Sequence, residues 1–236
     1  MDSDELLERV DVRQVPHPGL WRIGREPDPL RHSRLDPAAS PGPAARAGNR
    51  WDSPDYGVLY LASDLEGCFG ETLARFRPQP DLAALVRDDW VGERMAPGQL
   101  PRDWRDRRTA VHIGVEPGWL FLDVESVKTR AFLQEELALG LAALGVHELD
   151  VPAIRGQDRR VTQLISEWTF NFVTDDGAGD GGAPFAGIAY ASRVSTDWQC
   201  WAVFEGTSFT VKRAEPILET MPALLKVCDT YKIRVH

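Results

Sequence analysis

GIAYASRVSTDWQCWAVFEGTSFTV, residues 187–211, is the stretch whose reading decides the fold class. Gly187 to Ser192, Gln199 to Phe204 and Phe209 to Val211 are short β-prone runs that read as successive strands. The elements before them are mixed, and this end of the chain is rich in strands. The order therefore predicts an α+β domain built on a twisted, mainly antiparallel sheet with helices packed on it, rather than a doubly wound fold.

Working outward, Val58 to Ala62 (VLYLA) reads as a strand that begins after the turn formers Ser53, Pro54, Asp55 and Gly57. Leu65 to Phe76 carries Leu65, Phe69, Leu73 and Phe76 at helical spacing and is closed by Pro78. Residues 110–124 (AVHIGVEPGWLFLDV) read as two strands joined across Pro117-Gly118, and Thr129 to Leu144 as a helix stopping before Gly145. Further helices are predicted over Arg159 to Phe172 and near Pro222 to Cys228, with a last strand over Tyr231 to Val235. Glu26 to Asn49, rich in Pro, Ala, Arg and Gly, has no apolar period and is expected to be a long loop of the kind that often carries function. Gly177, Gly179 and Gly182 satisfy G-x-G-x-x-G, but no clear strand precedes them and no helix opens after them. A flexible connection accounts for the run better than a phosphate-binding turn.

Lys and Arg number 27 against 36 Asp and Glu, a net charge of −9, which argues against general nucleic-acid binding. Such a balance still permits a few arginines to converge on a small anionic ligand. Cys68, Cys200 and Cys228 form no CxxC pattern and read as buried thiols. The five histidines form no HxxxH or HExxH pair, so no metal is expected. No apolar run approaches the roughly 20 residues of a membrane span. Met1 to Val10 lacks the basic start and apolar stretch of a secretory signal, so a cytoplasmic location is expected.

Four separated segments carry a resemblance: Leu20-Trp21-Arg22-Ile23; Gly48-Asn49-Arg50-Trp51-Asp52; Val58-Leu59-Tyr60-Leu61-Ala62 followed by Glu71; and Gly187-Ile188-Ala189-Tyr190-Ala191-Ser192. In order and spacing they resemble the RES domain family, from about Leu20 to the carboxyl terminus, leaving residues 1–19 as an amino-terminal extension to a catalytic domain over 20–236. The sequence departs from the common pattern at Asn49, where a second glycine is more usual, and at Asp52, where asparagine is commoner. The resemblance implies an ADP-ribosyltransferase-like fold and a toxin that consumes NAD as its substrate by hydrolysis or phosphorolysis. It also implies a helix-turn-helix antitoxin as partner; the oligomeric state stays open.

Cleaving an N-glycosidic bond to a cationic leaving group passes through an oxocarbenium-like ribose, which calls for negative charge beside the sugar. Glu71 is the candidate. At about 100° per residue it lies opposite the Phe69, Leu73 and Phe76 stripe. Gly67, Gly70 and Ala74 flank it, small residues that leave room for a ligand or another backbone. Periodicity alone reads Glu71 as a solvated glutamate on an exposed face; the resemblance reverses that. Arg22 and Arg50 would hold phosphates or ribose, since a guanidinium fork matches phosphate oxygens and stays charged. Arg22 is favoured because an unpaired charge inside LWRI would be costly, although either arginine alone reads as a surface ion-pair partner.

The ring of Tyr60 could stack on nicotinamide while its hydroxyl stays hydrogen-bonded, or it could be a core tyrosine. Ser192 is a candidate for positioning Glu71 or the ribose and not a nucleophile, because no histidine base accompanies it; an ordinary strand-end serine is the alternative. Two rival functions stand beside NAD cleavage. One is an ADP-ribosyltransferase acting on a macromolecule, and the other a catalytically silent module that binds a nucleotide or a partner.

Overall fold

Val58, Leu59, Leu61 and Ala62 are each 4% exposed or less, so both faces of their strand are covered and the strand is interior. The computed structural model describes residues 1–36, 38, 43–78, 98–175 and 182–236. Its strands are β1 (Val12–Arg13), β2 (Leu20–Arg25), β3 (Val58–Ala62), β4 (Gln99–Leu100), β5 (Arg108–Val115), β6 (Leu120–Asp123), β7 (Phe185–Ala191), β8 (Gln199–Phe204), β9 (Phe209–Pro216) and β10 (Arg234–Val235). The described helices are α1 (Ser3–Arg9), α2 (Leu65–Leu73), α3 (Arg102–Asp106), α4 (Val127–Glu136), α5 (Ala138–Ala143), α6 (Val151–Arg155), α7 (Arg159–Asn171) and α8 (Pro222–Tyr231).

One sheet runs in the order β1-β6-β7-β8-β3-β2-β5-β9. Its neighbours pair antiparallel except β6 and β7, which are parallel. A fold of mixed α and β with a mainly antiparallel sheet and packed helices is thus what the chain adopts. The larger core lies between the sheet and helices such as α2, α7 and α8, burying Phe69, Leu73, Ile165, Leu224 and Val227. A second cluster joins Leu20, Leu59, Leu61, Val111, Ile113, Phe121, Ala186, Ala189, Trp201 and Val203. All ten lie on strands of the same sheet. Strand residues alone bury one another in this way when the sheet curls over its own face.

The join between β3 and β2 is narrow, a single residue pair, Trp21 with Ala62. β8, by contrast, has five-residue ladders with β3 on one side and β7 on the other. Gly187 permits the second of these, since a Cβ there would stand 2.0 Å from the Ala202 carbonyl oxygen. Residues 1–19 supply α1, with Leu6 fully buried, and β1, which pairs with β6.

Several elements depart from the sequence reading. The two strands joined across Pro117-Gly118 are present as β5 and β6, with β5 lying between β2 and β9 and β6 between β1 and β7; the departures are elsewhere. The helix expected over 129–144 is two helices parted at Leu137. Glu135 and Glu136 place negative charge at the carboxyl end of α4, where the helix dipole already points its negative pole. Tyr231 ends α8 rather than opening a strand, because Lys232 turns into the left-handed region (φ 56°) and leaves Arg234–Val235 to pair in parallel with β4. β9 runs on to Pro216, held against the full length of β5. Within Glu26 to Asn49 the described residues form a 3-10 turn at Ala44–Arg46 and a bridge between Ser33 and Val58. Of the three glycines in the G-x-G-x-x-G run, Gly177 and Gly179 lie outside the described residues.

Candidate functional site

α2 starts where the Asp64 side chain accepts the Gly67 N–H at 2.7 Å, an N-cap that fixes the first turn. Two turns on, Glu71 is exposed while Phe69, Gly70 and Leu73 are buried, as the apolar stripe requires. Ser192, 1% exposed, follows β7 directly. Its hydroxyl donates to Glu71 Oε1 at 2.5 Å and accepts from the Val194 N–H at 3.0 Å. The serine is held by its own turn and aims its proton at the glutamate, so the two sequence-predicted residues meet across 121 positions.

The glycines beside Glu71 have a different use from the one expected. A Cβ on Gly70 would lie 2.1 Å from the Trp198 ring, and one on Gly67 would be 3.3 Å from Trp198 Cβ. The small face of α2 therefore receives an indole rather than a ligand. Trp198 closes the same turn that carries Ser192, since the Ser192 N–H donates to its carbonyl at 2.9 Å. The indole thus docks the serine turn onto the helix, a contact that the sequence spacing of single residues does not reveal.

Arg50 stands beside this pair. Its Nη2 donates to the Ile154 carbonyl at 2.5 Å, and its guanidinium lies 5.2 Å from the Tyr190 ring and 5.4 Å from that of Trp51. Its Nε is buried without a partner. Burial pulls this guanidinium below its ordinary pKa, while Tyr190, Glu71 and Glu125 act to raise it and Arg193 to lower it. The cation is thus within electrostatic reach of Glu71, and its Nε donor is unused.

Tyr60 and Arg22 are bound differently. Tyr60 donates its hydroxyl to Asp52 Oδ1 at 2.8 Å and accepts the Trp51 N–H at 3.0 Å; burial, then Asp52, hold the phenol far above its usual pKa. Asp52 Oδ2 accepts from the Ser33 hydroxyl at 2.9 Å, the Asn49 N–H at 2.7 Å and the Asn49 side-chain amide at 3.1 Å. The departures at Asn49 and Asp52 thus satisfy each other in one turn, entered through Gly48 at φ 64°. α7 fastens the turn from behind, because Gln163 donates to the Ala47 carbonyl and Ser166 to that of Trp51.

Arg22 donates from Nε to the Pro29 carbonyl (2.8 Å), from Nη1 to that of Tyr60 (2.8 Å) and from Nη2 to that of Arg31 (3.1 Å). It fills the narrow join between β2 and β3 and ties the 26–49 loop to it. Three of its five N–H groups are engaged there. Desolvation is the main cause lowering its pKa.

The RES domain family model matches residues 19–223. The chain belongs to the RES domain family. No curated protein matches it. Among solved structures, the M. tuberculosis MbcT–MbcA toxin–antitoxin complex matches at a TM-score of 0.48 and 13% identity, covering 97% of this chain and 93% of that one. That level of likeness is too low to carry a conclusion. In this RES domain the structure brings Glu71, Ser192 and Arg50 around Tyr190, and it links Tyr60 to Arg22 through the Tyr60 carbonyl.

Glu125 was missed by the sequence reading, and Tyr190 was quoted only within its strand. Glu125 stands at no recognisable motif spacing. Tyr190 sits two residues before Ser192 on a strand buried throughout, so no alternation singles it out. Two open grooves of about 610 and 360 Å³ run along α7, and neither is lined by Glu71, Arg50 or Ser192. Among the described residues no helix is long and apolar enough to cross a membrane, and no cluster of His, Cys, Asp and Glu is placed to hold a metal.

Proposed function

We propose that this RES domain cleaves the nicotinamide N-glycosidic bond of NAD and acts as the toxin of a toxin–antitoxin pair. The observation that carries the reading is the Ser192 hydroxyl donating to an exposed Glu71 carboxylate, near a half-buried arginine whose Nε has no partner. The C1′–N bond breaks with its electron pair leaving on nicotinamide, which departs neutral. Positive charge grows on the ribose, and the Glu71 carboxylate stands against it. Ser192 fixes that carboxylate in one rotamer, so that no reorganisation is needed as charge develops. Arg50 anchors the anionic part of the dinucleotide, and Arg22, with two N–H groups still open, braces the Tyr60 strand and can join it. The Tyr60 ring faces nicotinamide while Asp52 keeps its hydroxyl.

The ribosyl carbon then accepts water or phosphate, each losing a proton as it bonds. Purified protein incubated with NAD, with and without phosphate, is expected to release nicotinamide. Glu71→Gln is expected to slow that release on the order of 10²–10³-fold. Wild-type protein without release, or full release from the variant, would refute the assignment. Mass spectrometry of the ribosyl product separates hydrolysis, phosphorolysis and transfer to a macromolecule. An antitoxin partner rests on family membership and is checked by co-purification with the product of a neighbouring reading frame.

A further inference from the structure

β6 hands its last main-chain bond to β7 where the Val124 N–H donates to the Ala189 carbonyl at 3.3 Å. One residue on, a side chain takes over: Glu125 Oε1 accepts the Ala191 N–H at 3.1 Å, directly before Ser192. The same carboxylate receives Arg155 twice, Nε to Oε1 at 3.3 Å and Nη2 to Oε2 at 2.7 Å. Arg155 is the last residue of α6, and its neighbour Ile154 supplies the carbonyl that holds Arg50. The two side chains are only 14% and 26% exposed, so the pair sits where a charge deprived of its partner is costly.

We infer that Glu125 is a positioning residue that ties the ligand-holding side of the site to its chemical side, a role that rests on the NAD-cleaving reading above. An ordinary buried ion pair would stabilise the fold without regard to the site. This one has each end one residue from a functional contact: Ala191 precedes Ser192, and Arg155 follows the carbonyl that fixes Arg50. A planar fork on a carboxylate sets orientation as well as distance. The position of α6, and with it the Arg50 guanidinium, is therefore referred to the end of β7, where Ser192 meets Glu71. Glu125 touches no substrate in this scheme; it sets the span between the groups that do.

The two contacts of the carboxylate can be separated. Arg155→Met leaves Glu125 on the Ala191 N–H but frees α6. Glu125→Gln keeps an oxygen for that N–H while removing the charge that holds Arg155. Both are expected to raise KM for NAD about five- to ten-fold with kcat within about two-fold of wild type. Glu125→Ala removes both contacts, and kcat is expected to fall about ten-fold in addition. Amide exchange at Ala191 is expected to quicken in Glu125→Ala and to stay at the wild-type rate in Arg155→Met.

Wild-type KM in Arg155→Met and Glu125→Gln, an equal fall of kcat in all three variants, or unaltered Ala191 exchange in Glu125→Ala would each overturn the proposal. If wild-type protein releases no nicotinamide, the functional reading fails first and separately. The tie is then decided by Ala191 exchange and by a stability cycle of Arg50→Met with Arg155→Met. Non-additivity of roughly three-fold or more in the unfolding constant supports it, and additivity overturns it.

Discussion

Asp52 and Glu71 are both carboxylates of family segments, and their surroundings are opposite. Asp52 is 1% exposed and accepts four hydrogen bonds, from Tyr60, Ser33 and both nitrogens of Asn49. Glu71 is exposed, and the hydrogen bond described to it comes from Ser192 alone. A carboxylate surrounded by donors is fixed and saturated, whereas one held at a single oxygen keeps lone pairs for something that arrives later. Residue type therefore does not tell the two roles apart. The number of donors around each carboxylate does, and that number depends on which distant strands and loops the fold brings in.

The contrast can be broken by stability measurements, and the largest effect is expected at the saturated carboxylate. Asp52→Ala leaves Tyr60, Ser33 and Asn49 without their acceptor and is expected to cost about 3 kcal/mol in urea unfolding. A loss under about 1 kcal/mol would mean that the turn is not held by this group. The second effect concerns the buried flank of α2, behind Glu71. Cys68 donates its thiol to the Trp21 carbonyl at 3.0 Å, and burial pushes it from 9.0 up to about 12. Below pH 9 the folded and unfolded chains both keep that proton and the contribution is complete. As pH rises above 9 the unfolded chain ionises first, and stability drains until the folded value is reached. At pH 10 the loss is about 1.4 kcal/mol from this thiol. Unfolding curves at pH 8 and pH 10 measure it, and Cys68→Ala should flatten that part of the slope.

Tyr60→Phe removes one donor from Asp52 and one acceptor from Trp51 while keeping the ring, and is expected to cost about 1 kcal/mol. Nicotinamide release per folded molecule should hardly change, because the hydroxyl is engaged with Asp52; a collapse of kcat would instead give the phenol a chemical role. Glu71→Gln, proposed to slow nicotinamide release most, should shift stability least, within about 0.5 kcal/mol. A large stability loss there would erase the difference between the two carboxylates.

Much of this was legible before any coordinates. VLYLA and GIAYA are short apolar β-prone runs, and the stripe in α2 left Glu71 on the open side, so a strand–helix unit and its exposed carboxylate were legible in the sequence. The meeting of Glu71 with Ser192 came from family resemblance rather than from spacing. What stayed hidden depends on partners far along the chain. Arg22 reads as a holder of phosphates or ribose or as a surface ion-pair partner, yet three carbonyls from β3 and the 26–49 loop surround it. Gly70 reads as an opening, yet Trp198, more than a hundred residues later, fills it. Glu125 carries no pattern at all because its partners lie 30 and 66 residues away. Periodicity reports on a residue's own element, and these contacts join different ones.

The placement of β8 has a consequence for biosynthesis. It is the sole strand that pairs with both β7 and β3, so among the described strands the ladder of β1, β6 and β7 and the ladder of β3, β2, β5 and β9 are hydrogen-bonded to each other only through it. On the ribosome, the helix bearing Glu71 is made early and Ser192 late, and the strand that unites them is later still. Long-range pairing of this kind is slow and cannot precede the emergence of both partners. A nascent chain therefore cannot complete the ladder that holds Glu71 and Ser192 in one sheet-and-helix unit before β8, ending at Phe204, has been made.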